Sequence, residues 1–181
     1  MSREKTSIKE MFDLAFKHFQ NNNLKQAEIL FEKILELNPN QFESIFYLGV
    51  LLAQTKKFGK AVECYEKAIK INPNSAEVYN NLGNVFYDLG EFQKAISSYQ
   101  SAVKINPNFA GVYFNLGSTF QDLDKYNEAI SYYQKGDRTG FFENILDNYM
   151  QQGNIPAAAP LGSVDNQLFD NSHELGSGAQ L

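Results

Sequence analysis

Residues Ala76–Asn108, AEVYNNLGNVFYDLGEFQKAISSYQSAVKINPN, carry the pattern that decides the fold. Val78, Tyr79, Leu82, Val85, Phe86 and Leu89 recur at three- and four-residue steps, and Phe92, Ala95, Ile96, Tyr99, Ala102 and Val103 do the same in the second half. On an α-helix this spacing gathers the apolar side chains into one stripe. Between the two runs stands Gly90, which lacks a Cβ and so reaches the left-handed conformation that ends a helix and turns the chain back. Asn106-Pro107 ends the second run, because the proline ring disfavours a helical residue before it. The stretch predicts a hairpin of two helices.

Moving outward by 34 residues in either direction brings the pattern back, with Phe42–Asn74 as the upstream copy and Ala110–Ser131 as the start of a downstream one. Tyr47-Leu48-Gly49, Asn81-Leu82-Gly83 and Asn115-Leu116-Gly117 share the step, as do Ala61, Ala95 and Ala129 and the prolines Pro39, Pro73 and Pro107. A period of this length with a leucine-glycine pair, a later alanine and a closing proline marks the tetratricopeptide repeat, and the chain resembles that family. The resemblance implies an all-α fold: a right-handed superhelical solenoid of about four helical hairpins. The alternative, an ordinary helical bundle, would make the regular period an accident. The residue types also have a physical reason. Gly83 and its equivalents allow the two helices of a hairpin to approach closely, and the small Ala95 class accepts a neighbouring ring without overpacking. One hairpin cannot cover its own apolar stripe, so stacking must bury it.

The chain has 181 residues, a formal charge of −5 and a single cysteine, Cys64. Its pI near 5.1 argues against a phosphate-binding surface, which needs clustered lysine and arginine, so nucleic acid is not an expected partner. One cysteine makes no internal disulfide, the opening MSREKTSIKEMF lacks the apolar core of a secretory signal, and no run is long enough to cross a bilayer. A cytoplasmic chain without a membrane partner is the expectation.

The expected divisions are a disordered N-terminus at 1–7, an array at 8–152 and a disordered tail at 153–181. The array divides into units at 8–41, 42–75, 76–109 and 110–140 and a capping helix at 141–152. Ser7 is placed to cap the first helix, which is read at Ile8–Gln20 with its partner at Leu24–Leu37. In unit 1 Ala15 stands where later units have glycine, and in unit 4 Gly136 stands where alanine recurs. The capping helix rests on Phe142, Ile145, Leu146 and Tyr149, which share one face. After Arg138 no basic residue occurs, and from Gly153 the helical period is lost. That tail also admits two other readings, the front of a further domain or a peptide lying back in the protein's own groove.

Motifs for catalysis or metal binding are missing: the sequence has no G-x-x-x-x-G-K-[ST], G-x-G-x-x-G, H-E-x-x-H or C-x₂-C. No cofactor or metal and no catalytic residue is expected. His18 reads as a packed histidine, Cys64 as a small hydrophobe between helices, and Asp122 and Asp124 as turn and solvent residues.

In the resembled family the first helix of each unit lines the concave face, which commonly binds an extended peptide. Carried over by register, that groove holds Phe12, Asp13 and Phe16 in unit 1 and Glu43, Phe46, Tyr47 and Val50 in unit 2. Unit 3 supplies Glu77, Asn80, Asn81, Asn84 and Tyr87, and unit 4 supplies Gly111, Phe114, Asn115, Ser118 and Gln121. The groove thus begins aromatic and ends rich in amides. A carboxamide offers donors and an acceptor, so Asn81 and Asn115 are placed to bracket successive backbone amides of a bound strand, while Phe46, Tyr47 and Phe114 supply apolar pockets. The asparagine pair resembles the ladder along the repeats of O-linked N-acetylglucosamine transferases. Chaperone-binding members of the family clamp a carboxylate with lysine and arginine, whereas the matching places here hold Phe12, Phe16, Tyr47, Glu77 and Asn81, and only Lys9 is basic. The resemblance therefore implies a non-enzymatic scaffold for a protein or peptide partner that is neutral or basic. Its alternative is the N-terminal substrate-docking fragment of a truncated transferase, since repeats of this kind often precede glycosyl-, sulfo- or methyltransferase domains.

Overall fold

The computed structural model describes residues 7–136, which form four successive helical hairpins and no strand among the described residues. Unit 1 pairs α1 (Ile8–Gln20) with α2 (Leu24–Leu37), and unit 2 pairs α3 (Phe42–Gln54) with α4 (Phe58–Ile71). Unit 3 pairs α5 (Ala76–Asp88) with α6 (Phe92–Ile105), and unit 4 pairs α7 (Ala110–Asp122) with α8 (Tyr126–Gly136). The expected capping helix, the tail with His173 and most of the expected N-terminal stretch lie outside the described residues. Ser7 caps α1 as its position suggests: its hydroxyl accepts from the Glu10 N–H, and the Glu10 carboxylate accepts from the Ser7 N–H.

Each hairpin turns in the same way. Asn22, Lys56, Gly90 and Asp124 stand one period apart and are the described residues with positive φ, at 59°, 58°, 73° and 57°. The N–H that follows each of them reaches back five residues to a helix carbonyl, as in Lys57 to Leu52 at 2.8 Å and Glu91 to Phe86 at 2.8 Å. This arrangement satisfies carbonyls that a helix end leaves unpaired, and glycine is its easiest occupant. Units are joined by a second repeated turn, in which the Oδ1 atoms of Asn38, Asn72 and Asn106 accept from the N–H groups of Asn40, Asn74 and Asn108 at 3.4, 3.2 and 3.0 Å.

Inside a hairpin, a Cβ added to Gly49, Gly83 or Gly117 would come within 2.8, 2.5 and 2.5 Å of the rings of Tyr65, Tyr99 and Tyr133. The leucine-glycine signature therefore marks where a tyrosine ring of the second helix packs closely against the first. In unit 1 the pair becomes Ala15 and Phe31, both fully buried. Between hairpins, each second helix packs on the next unit's first helix, and successive first helices also touch, α1 on α3, α3 on α5 and α5 on α7. Successive second helices make no comparable approach among the described residues. First helices therefore lie on the inner side of the stack.

Stacking decides burial. Leu48, Leu82 and Leu116 are at most 7% exposed because each meets the preceding unit, while Leu14 at the same register in unit 1 is 46% exposed.

Candidate functional site

The residues carried over from the family register, Phe12, Phe16, Phe46, Tyr47, Val50, Asn80, Asn81, Asn84, Tyr87, Phe114, Asn115 and Ser118, all fall on α1, α3, α5 and α7. All of them are half-buried, while Asp13, Glu43, Glu77 and Gly111 are exposed. This intermediate burial follows from their place beside the core stripe, on the helices that line the inner side.

In units 1 and 2 the face is aromatic. Tyr47 stands at its centre, with ring centroids 4.9 Å from Phe16 edge-on, 5.2 Å from Phe46, 5.8 Å from Phe19, 6.0 Å from Phe12 and 6.2 Å from Phe31. Edge-on and tilted contacts at these distances bring the positive rim of one ring to the negative face of another. Phe19 and Phe31 were not among the sequence candidates, although the register of Tyr87 and of Tyr65, Tyr99 and Tyr133 pointed to them.

In units 3 and 4 the face is polar and largely paired with itself. The Asn115 carboxamide, on α7, donates to Asn80 Oδ1 at 3.0 Å and Asn84 Oδ1 at 3.1 Å, both on α5. The Tyr99 hydroxyl donates to the same Asn84 oxygen at 2.8 Å, and the Asn80 amide lies 3.5 Å from Asn81 Oδ1. The Tyr87 hydroxyl donates to Asp122, so this carboxylate, read from sequence as a turn and solvent residue, ties unit 3 to unit 4. The Tyr133 hydroxyl donates to Gln121 at 3.0 Å and lies 3.1 Å from the Ser118 oxygen. Both N–H groups of Asn115 are therefore committed inside the protein, whereas among the described residues the Asn81 N–H groups make no such bond. Phe114 packs on Tyr133 with centroids 5.0 Å apart.

Ionisation on and beneath this face is suppressed. Burial, then the hydrogen bond to Asp122, pushes the Tyr87 phenol up to about 12, and burial raises Tyr65 and Tyr99 further. Burial, with Glu63 beside it, lifts the Cys64 thiol to about 11, so at neutral pH it is a protonated, weakly reactive group. Among the described residues no cluster of three or more histidine, cysteine or acidic side chains is arranged to hold a metal, and no helix is long and apolar enough to cross a membrane.

Stacked two-helix units with first helices lining an inner face define the class of protein: a helical-repeat solenoid of the kind used as a protein-interaction scaffold. Family models described as tetratricopeptide or TPR repeats match residues 12–41, 30–63, 51–90, 83–124 and 114–135, without a gap between them. The chain belongs to the tetratricopeptide repeat family. A solved MamA structure is 26% identical over 81% of this chain and 82% of its own, with a TM-score of 0.70. Another is 21% identical over 83% of this chain and 82% of its own, with a TM-score of 0.71. MamA from residue 41 onward of Desulfovibrio magneticus RS-1 is 21% identical over 83% of this chain and 80% of its own, with a TM-score of 0.69. No curated protein matches the chain.

Proposed function

We propose that this protein is a non-enzymatic scaffold that holds an extended segment of a protein partner along the face lined by α1, α3, α5 and α7. The segment is neutral or basic, because Asp13, Glu43, Glu77, Asp88 and Asp122 accompany this face and Lys9 is its basic residue. The observation that carries the reading is the burial of its rings and amides. They are neither sealed in the core nor fully solvated, so a strand laid over them covers apolar ring area and finds donors such as those of Asn81. Holding also suits the chemistry at hand: the phenols and the thiol stay protonated near neutral pH, and the amides offer hydrogen bonds without acid or base strength. The cytoplasm is the compartment that a single reduced cysteine fits.

The test is co-precipitation of a partner by the full-length chain and by its Asn81→Arg variant, with thermal melting of both. The reading expects the partner to be lost from a variant that melts as the parent does. Equal capture by a folded variant would show that this face is not the one used.

A further inference from the structure

We infer that the aromatic half of the inner face takes an arginine side chain of the partner segment, an assignment that rests on reading this face as a peptide groove. Phe12, Phe16, Phe46 and Tyr47 keep ring surface open on the inner side, each being half-buried while packed against its neighbours at 4.9–6.4 Å. At the border of these rings stand two exposed carboxylates, Asp13 directly after Phe12 and Glu43 one turn before Phe46 and Tyr47. Among the described residues the ion pairs are Lys57–Glu28 and Lys94–Glu91, neither of which involves Asp13 or Glu43. Glu43 accepts from the neutral Gln41 amide at 2.9 Å, which leaves its charge uncompensated.

Four kinds of side chain can be weighed against that surface. An aliphatic group would cover the rings but draw water away from the carboxylates while giving them no donor. A carboxylate would meet like charge. A lysine ammonium supplies charge but holds its water tightly and has no plane to lay on a ring. A guanidinium does both: its face lies on an aromatic ring while its N–H groups pair with a carboxylate in two parallel hydrogen bonds. Lys9 and Lys17 each stand one turn from Asp13 on α1, whereas Glu43 has no lysine or arginine within a turn on α3, so it is at Glu43 that charge complementarity favours a cation.

The experiment pans a random dodecapeptide library on the full-length chain and measures the selected peptides by fluorescence anisotropy. Arginine should be enriched at one position, and replacing it with alanine or leucine should weaken binding by about tenfold, with lysine intermediate. The double change Asp13→Asn with Glu43→Gln should bring a similar loss and abolish the preference for arginine over leucine; Glu43→Gln alone serves if the double variant melts lower. Arginine-free peptides that bind equally well and are displaced by Asn81→Arg would overturn the arginine assignment and leave the groove reading standing. If no selected peptide is affected by Asn81→Arg, both fall.

Discussion

On the same inner face, the seam between units 1 and 2 is closed by rings and the seam between units 3 and 4 by hydrogen bonds. Tyr47 and Asn115 stand two periods apart at the same register, yet one is packed among Phe12, Phe16 and Phe19 while the other spends both amide N–H groups on Asn80 and Asn84. Apolar contact is non-directional and scales with covered area, so the first seam tolerates small slides of α1 on α3. Hydrogen bonds weaken steeply with angle, so the second holds α7 to α5 in one setting. Repeat register thus decides where a side chain sits, and its chemistry decides whether that place is a surface or a clasp.

The largest expected effect tests the aromatic seam. Tyr47→Ala removes the ring that five others touch and should lower unfolding free energy by about 3 kcal/mol, read from urea denaturation; a loss below about 1 kcal/mol would mean that the other rings close over the gap. Next comes a pair that contrasts the two halves from beneath. Gly83→Ala drives a methyl into the Tyr99 ring, whose hydroxyl is held by Asn84, whereas at Gly49 the ring is slightly farther away and the following residue is Val50. Gly83→Ala should cost about 2 kcal/mol and Gly49→Ala less, after the gain of about 1 kcal/mol that alanine brings to a helix interior. Equal losses would show that the Asn84 bond does not restrain the ring.

Asn115→Ala should lower stability by about 1 kcal/mol, the usual net worth of part-exposed hydrogen bonds, and speed hydrogen exchange in α7 while leaving α1 and α3 unchanged. Exchange that rises evenly along the array would deny the clasp a local role. The smallest effect is expected where the halves are alike. Lys56→Gly relieves a left-handed backbone in unit 2 that Gly90 already occupies without strain in unit 3, and should raise stability by about 0.5–1 kcal/mol.

Much of the fold was legible because it depends on period alone. Spacing of Leu82, Val85 and Tyr99 locates helix faces, Gly90 and Pro107 locate the turns, and a shift by one period finds the other copies. Lys56 and Asp124 in the left-handed turn position were less visible, since neither residue type announces that conformation, though the shift from Gly90 points to both. The candidate groove was legible only as a set of places on four helices. Which of those places pair with one another lay beyond it, as Asp122 shows by accepting from Tyr87 in the unit before.

By itself the sequence determined that this protein is a stack of two-helix units, because helical period and turn chemistry are local and repeat. Only the tertiary structure decided that Leu14 stays open while Leu48 is covered, and that the Asn115 amide pairs with Asn80 and Asn84 of the preceding unit. Burial and hydrogen bonding are set by what the next unit brings within a few ångströms, and no spacing along one helix contains that distance.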